Sequence, residues 1–587
     1  MEDINALDLL KEELETEEIH LKVNAIHRMK TVILCIGVDD TIKKLIPFLE
    51  GKIKHLTYQS LKGLIEKEDD ESLFAIAEEL GKVWELLPDK TSFLPLLENL
   101  AKVDETVVRE QATKSLTTIS KALSDAEIQN VFAPMVIRLA QGEWFTGRVS
   151  SCALFFPAYQ RSNTQKDKLR KKFIELCNED TPMIRRACAS KLGIFATQLE
   201  KQHLINEILP VFRQLSQDEQ DAIRVLCLES FIPMAKYMTK EENQIHTLGT
   251  LVAAGEDKSW KVRLAFAKNF AELTDAFGKE ITDSNLIQTF TQLLNDGEPE
   301  VKNAAIQSMT LCLKNLSTEK ICNTLLPTLQ NAYADAQTSF KGGVANSLSE
   351  MAHIVGKDYT AQKVLPILME LIKDENADVR LNVTQGLIKV AQIVGPEILS
   401  QPFLTTLSNM TKDAQWRVRM AVFELIGDLS KLFGKEVFTK HLESIFLTYL
   451  SNTAASVREM GIKKVKELAE KFKADWINSS FIPRVIEMFN VDKQGYNYRM
   501  CCLHSLQAVM PYLNKDQVTS QVIPIFVKAM KDPIPNVRFT VAKIIHKAKS
   551  SIDPAVMQSQ VAAGLRELGN DSDRDVQYYA TVALNDI

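Results

Sequence analysis

The 587-residue chain is short of the residues that break regular structure. Glycine and proline together are scarce, with 22 and 19 positions, so collagen-like and low-complexity architectures are excluded. No segment alternates polar and apolar residues with period two, so a β-rich fold is not expected. No apolar run approaches the roughly 18 residues needed to span a bilayer, and no membrane insertion is expected. Charge of one sign is also lacking. The formal net charge is only −6, spread along the whole chain, where a general nucleic-acid binder needs a basic surface.

Chemistry-bearing motifs are missing as well. There is no phosphate-binding loop, no Gly-x-Ser-x-Gly elbow, no His-Glu-x-x-His and no calcium-loop spacing. The nine cysteines are scattered and none forms a Cys-x-x-Cys pair, which predicts buried reduced thiols in an intracellular protein. Cys501-Cys502-Leu503-His504 looks metal-like at first sight, but it falls on a helix with Cys502 at a core position, so no metal and no cofactor are expected. The first ten residues are acidic, without the apolar centre of a signal peptide. The expected location is the cytoplasm or the nucleus, between which composition does not choose.

What the chain does contain is one phrase, repeated. Its clearest copy runs from Lys412 to Val422: an aspartate at 413, Val418 five places on, Arg419 directly after, then Val422 and Ile426 at spacings of four. That spacing puts the apolar residues on one helical face. The same phrase lies 39 residues earlier at Asp374, Val379 and Arg380, and 39 residues later at Val457 and Arg458. Followed along the chain, the valine position falls at Leu21, Leu73, Val108, Gly147, Ile184, Ile223, Val262, Val301, Phe340, Val379, Val418, Val457, Tyr498, Val537 and Val576. From Ile184 to Val457 every step is 39 residues; the first step, from Leu21 to Leu73, is 52. The next residue is basic in thirteen of these fifteen repeats, Phe74 and Gln577 being the exceptions.

Each repeat reads as two helices. The first is apolar and often carries a proline thirteen places before the valine position, as at Pro210, Pro327 and Pro366. Proline suits a first turn or a kink because it lacks an N–H. An acidic turn follows, then a second helix of about four turns, often closed by glycine, as at Gly278, Gly356, Gly395 and Gly434. One such pair cannot bury its own apolar faces but stacked pairs can, so the expected fold is all-α: a continuous solenoid. Its recurrent arginines and aspartates admit two uses. An arginine of one repeat can reach the aspartate of the next and form a ladder, or both can line a charged binding strip. Exposed pairs contribute about 0–1 kcal/mol each. Trp144, Trp260 and Trp416 sit at or near the turns. A tryptophan there is either an interface anchor or a ring folded back over its own repeat. Trp84 and Trp476 read as packing residues.

The two-helix unit with its acidic turn and Val-Arg entry resembles the HEAT repeat. The resemblance extends to the scaffold (A) subunits of protein phosphatase 2A. It is carried by Gly142-Glu143-Trp144-Phe145-Thr146, Asp180-Thr181-Pro182-Met183-Ile184-Arg185-Arg186, Asp257-Lys258-Ser259-Trp260-Lys261-Val262-Arg263, Asp413-Ala414-Gln415-Trp416-Arg417-Val418-Arg419 and Asn536-Val537-Arg538-Phe539. It implies a right-handed superhelix of about fifteen repeats, curved into a horseshoe and without catalytic residues. Its ridge of intra-repeat turns would hold an interchangeable regulatory B-type subunit together with a serine/threonine phosphatase catalytic subunit, giving a heterodimeric core and a heterotrimer. Residues 1–395, repeats 1–10, would take the regulatory subunit through Asp104, Glu105, Trp144, Phe145, Asp180, Pro182, Arg186, Ser259 and Trp260. Residues 396–587, repeats 11–15, would take the catalytic subunit through Trp416, Arg417, Arg499 and Ile534. Two features depart from the family pattern: extra sequence around Gly51–Leu64, and Lys261 where arginine is usual. The other class of helical-pair array to weigh is a karyopherin-type nuclear transport receptor.

Overall fold

The structure, a computed structural model, describes residues 5–61, 67–333, 336–490 and 495–585. Among them every regular element is helical. Helices alternate as the period predicts, a first helix and a second helix in each of fifteen repeats. The chain forms two compact bodies, Met1–Ser317 with repeats 1–8 and Thr318–Ile587 with repeats 9–15.

In each body the second helices stack on one another along the array, for example Pro182–Ala196 on Asp221–Tyr237, and Thr338–Val355 on Ala377–Val394. Fourteen of the fifteen valine positions are buried. The exception is Leu21, 37% exposed in the first repeat, whose short second helix Ile19–His27 buries Ala25 and Ile26 instead. In repeat 10, Val379, Val383, Leu387, Val390 and Val394 are all buried. Each such side chain contributes about 1.5–3 kcal/mol, so stacking dominates stability. At 18 residues, Ala377–Val394 runs five turns where the sequence pattern predicts four.

The first helices are not uniform α-helices. A five-residue π turn precedes the straight segment in most repeats, at Leu204–Ile208, Ile321–Leu325 and Thr360–Val364 among others. In these three repeats the recurrent proline stands two places after the turn, at Pro210, Pro327 and Pro366. The wider turn accommodates a ring that has no N–H to donate and crowds the preceding carbonyl. Thr282–Leu286 and Phe438–Leu442 form the same turn with no proline behind them, so the turn belongs to the repeat and proline only fits it.

The extra residues of the 52-residue step lengthen a helix. The first helix of repeat 2 continues as Ile46–Leu61, sixteen residues; residues 62–66 lie outside the described ones. Of the cysteines, seven are buried as expected, but Cys35 is exposed and Cys322 is only partly covered. Trp84 and Trp476 are buried, and the Trp476 indole N–H donates to Glu443 Oε1 at 2.7 Å. Cys502 is likewise buried.

Candidate partner-binding ridge

The turn between the two helices of a repeat is built by the recurrent base and acid together. In repeat 7 the Arg263 Nη1 donates to the backbone carbonyls of Asp257 and Lys258, at 2.8 and 3.3 Å. These carbonyls lie just past the end of the first helix, so the guanidinium closes that end and is itself held. The Asp257 carboxylate accepts from the Ser259 backbone N–H at 2.7 Å and thereby shapes the turn. The same clasp recurs at Arg185, Arg224, Arg380, Arg419, Arg458 and Arg538.

The guanidinium then reaches the next repeat. Arg224 pairs with Asp257 through Nε and Nη2, both at 2.8 Å. Arg380 pairs with Asp413 at 2.8 and 3.0 Å, and Arg538 with Asp571 at 2.7 Å through each nitrogen. Arg185 with Asp218, Arg263 with Asp296 and Lys341 with Asp374 follow the same rule. Where repeat 12 offers Asn452 in place of aspartate, Arg419 donates to its side-chain oxygen at 3.2 Å. The ladder is therefore real and it points one way, from each repeat to the following one. Asp335, five places before Phe340 in repeat 9, lies outside the described residues.

These rungs are not the exposed pairs that the sequence suggests. The Arg224 side chain is 6% exposed and its partner Asp257 12%. Burial pushes the Asp257 carboxyl up, but the Arg224 guanidinium and the Ser259 N–H outweigh it and hold the carboxyl below its usual range. Asp296 and Asp374 behave alike, and the Arg538 hydrogen bonds lower Asp571 as well. A shielded, two-pronged pair couples more strongly than a surface one. The reading of these charges as a free binding strip is thereby excluded for the paired rungs.

Arg499 stands on the same ladder. Its Nε and Nη2 donate to Asp532 at 2.6 and 2.8 Å, so the side chain expected to meet a partner also makes a rung. Ile534 is half-buried, and its backbone N–H donates to that same Asp532. Lys261 approaches Asp221 at 3.7 Å through a single ammonium, and the Ser259 hydroxyl donates to the same carboxylate at 3.0 Å.

The turns also leave large apolar side chains in solvent. Trp144, Trp260 and Trp416 are 48%, 37% and 39% exposed, so none of the three rings is buried over its own repeat. The Arg417 guanidinium lies over the Trp416 ring, 5.6 Å from its centroid, and is itself exposed. Asp104, Asp180, Pro182 and Arg186 are exposed at their turns, and Glu105, Phe145 and Ser259 are partly covered. The Glu105 carboxylate caps its helix by accepting from the Val107 N–H at 3.3 Å. Sequence reasoning missed Val107, Met183 and Tyr496, large apolar side chains exposed at equivalent turn positions. The signal was there: each stands one or two places before a buried valine-position residue, where helical geometry turns it away from the core.

Comparison with known proteins agrees with this architecture. The HEAT repeat family matches residues 364–394, and a family described as the PIK3R4-like middle domain matches residues 169–339. The human 65 kDa A-type regulatory subunit (beta isoform) of serine/threonine-protein phosphatase 2A is 36% identical over 301 residues, covering 51% of this chain and 48% of its own. The PP2A A-type regulatory subunit of Schizosaccharomyces pombe is 34% identical over 285 residues, 48% of this chain and 46% of its own. The Dictyostelium discoideum protein phosphatase 2A scaffold subunit is 35% identical over 299 residues, 50% and 49% of the two chains. The chain thus spans about half the length of the curated relatives it matches. Among solved structures, Kap95p bound to RanGDP superposes with a TM-score of 0.52 at 11% identity, over 99% of this chain and 80% of that one, a likeness of fold alone. The chain is an all-α HEAT-repeat solenoid related in sequence to the A-type regulatory subunits of protein phosphatase 2A.

Proposed function

We propose that this chain is a non-catalytic scaffold. Its ridge of turns holds a serine/threonine phosphatase catalytic subunit in repeats 11–15 and an interchangeable regulatory subunit in repeats 1–10. Dephosphorylation then happens on the partner, and the chain supplies placement by raising the effective concentration of one partner near the other. The observation that carries this reading is the sorting of the tryptophans. The two away from the turns, Trp84 and Trp476, are buried, and the three at turns stand in solvent. A solvent-facing tryptophan on a rigid helix start suits an interface anchor and contributes little to the fold. The names of the relatives, regulatory or scaffold subunits of a phosphatase, agree with it.

The test is binding of full-length variants to purified phosphatase subunits. Trp416→Ala is expected to weaken the catalytic subunit by about 2–4 kcal/mol and leave the regulatory subunit bound. Trp144→Ala is expected to do the reverse. Equal loss of both partners by both variants, or capture of a GTP-loaded transport GTPase with no phosphatase subunit, overturns the reading.

A further inference from the structure

Repeat 2 breaks the ladder. Where thirteen repeats place a base, it has Phe74, and the residue of repeat 3 that would hold the acid is Val103. These two side chains form no rung, and a groove of about 590 Å³ lies at their joint. Its floor is apolar, made by Val23 of repeat 1, Phe74 and Ala75 of repeat 2, and Val107 and Val108 of repeat 3. Val107 is 55% exposed and Phe74 is half-covered.

The rim is acidic. Asp70, Glu71, Glu78 and Glu105 border the groove. Glu105 caps its own helix, and Glu78 receives the Lys82 ammonium at 3.2 Å. Glu71 is exposed. Among the described lining residues the one basic-capable group is His27, whose Nδ1 sits 3.0 Å from Glu79 Oε1, and the Lys82 ammonium borders the rim through Glu78. Negative charge thus surrounds an apolar floor.

We propose that this groove docks a partner segment that carries one or two large apolar side chains flanked by lysine or arginine. The apolar side chain packs on Phe74 and Val108, and the flanking cations meet Glu71 and its neighbours. Charge complementarity selects this occupant over an acidic or purely apolar one. The groove lies in repeats 1–3 and shares Glu105 with the proposed regulatory-subunit positions, so the inference deepens that reading, while its test uses neither the tryptophans nor any phosphatase component.

The probe is a fluorescein-labelled amphipathic peptide of leucine and lysine, titrated against the full-length chain by anisotropy. Two control peptides are run beside it, one with glutamate for lysine and one with serine for leucine. The leucine-lysine peptide is expected to bind, at least tenfold more weakly to Phe74→Arg and to Glu71→Lys, and more weakly as salt rises. Both controls are expected to bind at least tenfold more weakly than the probe. Phe74→Arg restores the residue type of the other repeats, and Glu71→Lys changes an exposed side chain, so at least one variant keeps the fold; thermal melts check both. Equal binding to wild type and the folded variants overturns the proposal, as does no binding at all or equal binding of the serine peptide. Any of these leaves the tryptophan test untouched.

Discussion

Lys473 occupies a backbone conformation that repeats 7, 9, 10 and 11 give to glycine. It has φ 58 and ψ −168, and Gly278, Gly356, Gly395 and Gly434 end their helices with φ between 77 and 88. This is a mirror-extended region that a Cβ disfavours by about 1–3 kcal/mol. The Lys473 ammonium lies 5.9 Å from the Tyr512 ring centroid, which offsets a fraction. Lys473→Gly is therefore expected to stabilise the protein by about 1 kcal/mol, read as a rise in unfolding midpoint. The glycines were legible in the sequence as helix stops, and Lys473 was not, because only its spacing from Gly434 marks the position. The thiols carry a second expectation at this scale. Cys35 is exposed, and burial pushes Cys152, Cys188 and Cys227 upward, with the neighbouring Cys188 thiol the leading cause at Cys152. A native-state titration with a thiol reagent is expected to show one fast cysteine, removed by Cys35→Ser; a fast phase that survives that change argues for open repeats.

At the scale of the helix pair, the joint between repeats is where sequence reasoning went furthest and stopped short. The bases and acids were legible as a series because the period repeats them, and a ladder was one of two uses they admitted. Their shielding was not legible. It depends on how far the second helix of one repeat is displaced against the turn of the next, which the packed side chains decide. A double-mutant cycle on Arg380 and Asp413 is expected to give a coupling of about 1–3 kcal/mol. Zero coupling, with each single variant as stable as the wild type, removes the ladder's energetic role. The π turns were likewise invisible, since proline at the second residue of a helix fits an ordinary start just as well.

For the whole molecule, the recurrence of one joint sets the response to acid. Asp257, Asp296, Asp374 and Asp571 all titrate below the ordinary aspartate value, about 3.9 in an unfolded chain. A depressed carboxyl contributes stability that is fully present above that value and is lost as pH falls through the folded-state value. Unfolding midpoints are expected to change little between pH 7 and 5 from this source and to drop steeply below about pH 4. Asp257→Asn is expected to lower the plateau and flatten the drop. An unchanged acid slope in that variant argues against the rungs as its cause. The all-α class was readable from the period and the absence of strand patterning. The partition into two compact bodies was not, since the phrase runs through residues 317 and 318 without a change of register.

The one-way clasp also makes the chain editable. In repeats 5, 6 and 7 the guanidinium addresses the aspartate 33 residues ahead, from Arg185 to Asp218, Arg224 to Asp257 and Arg263 to Asp296. Excising 39 consecutive residues from the second helix of repeat 5 into that of repeat 6 would present Arg185 with Asp257 at the same separation. From repeat 5 to repeat 8 each joint is a copy of its neighbour, so length is a free variable of this stretch. Duplication or loss of a whole repeat need not disturb the grammar by which one turn grips the next; in repeat 15, Gln577 stands where the base would be and donates to the Asp571 carbonyl.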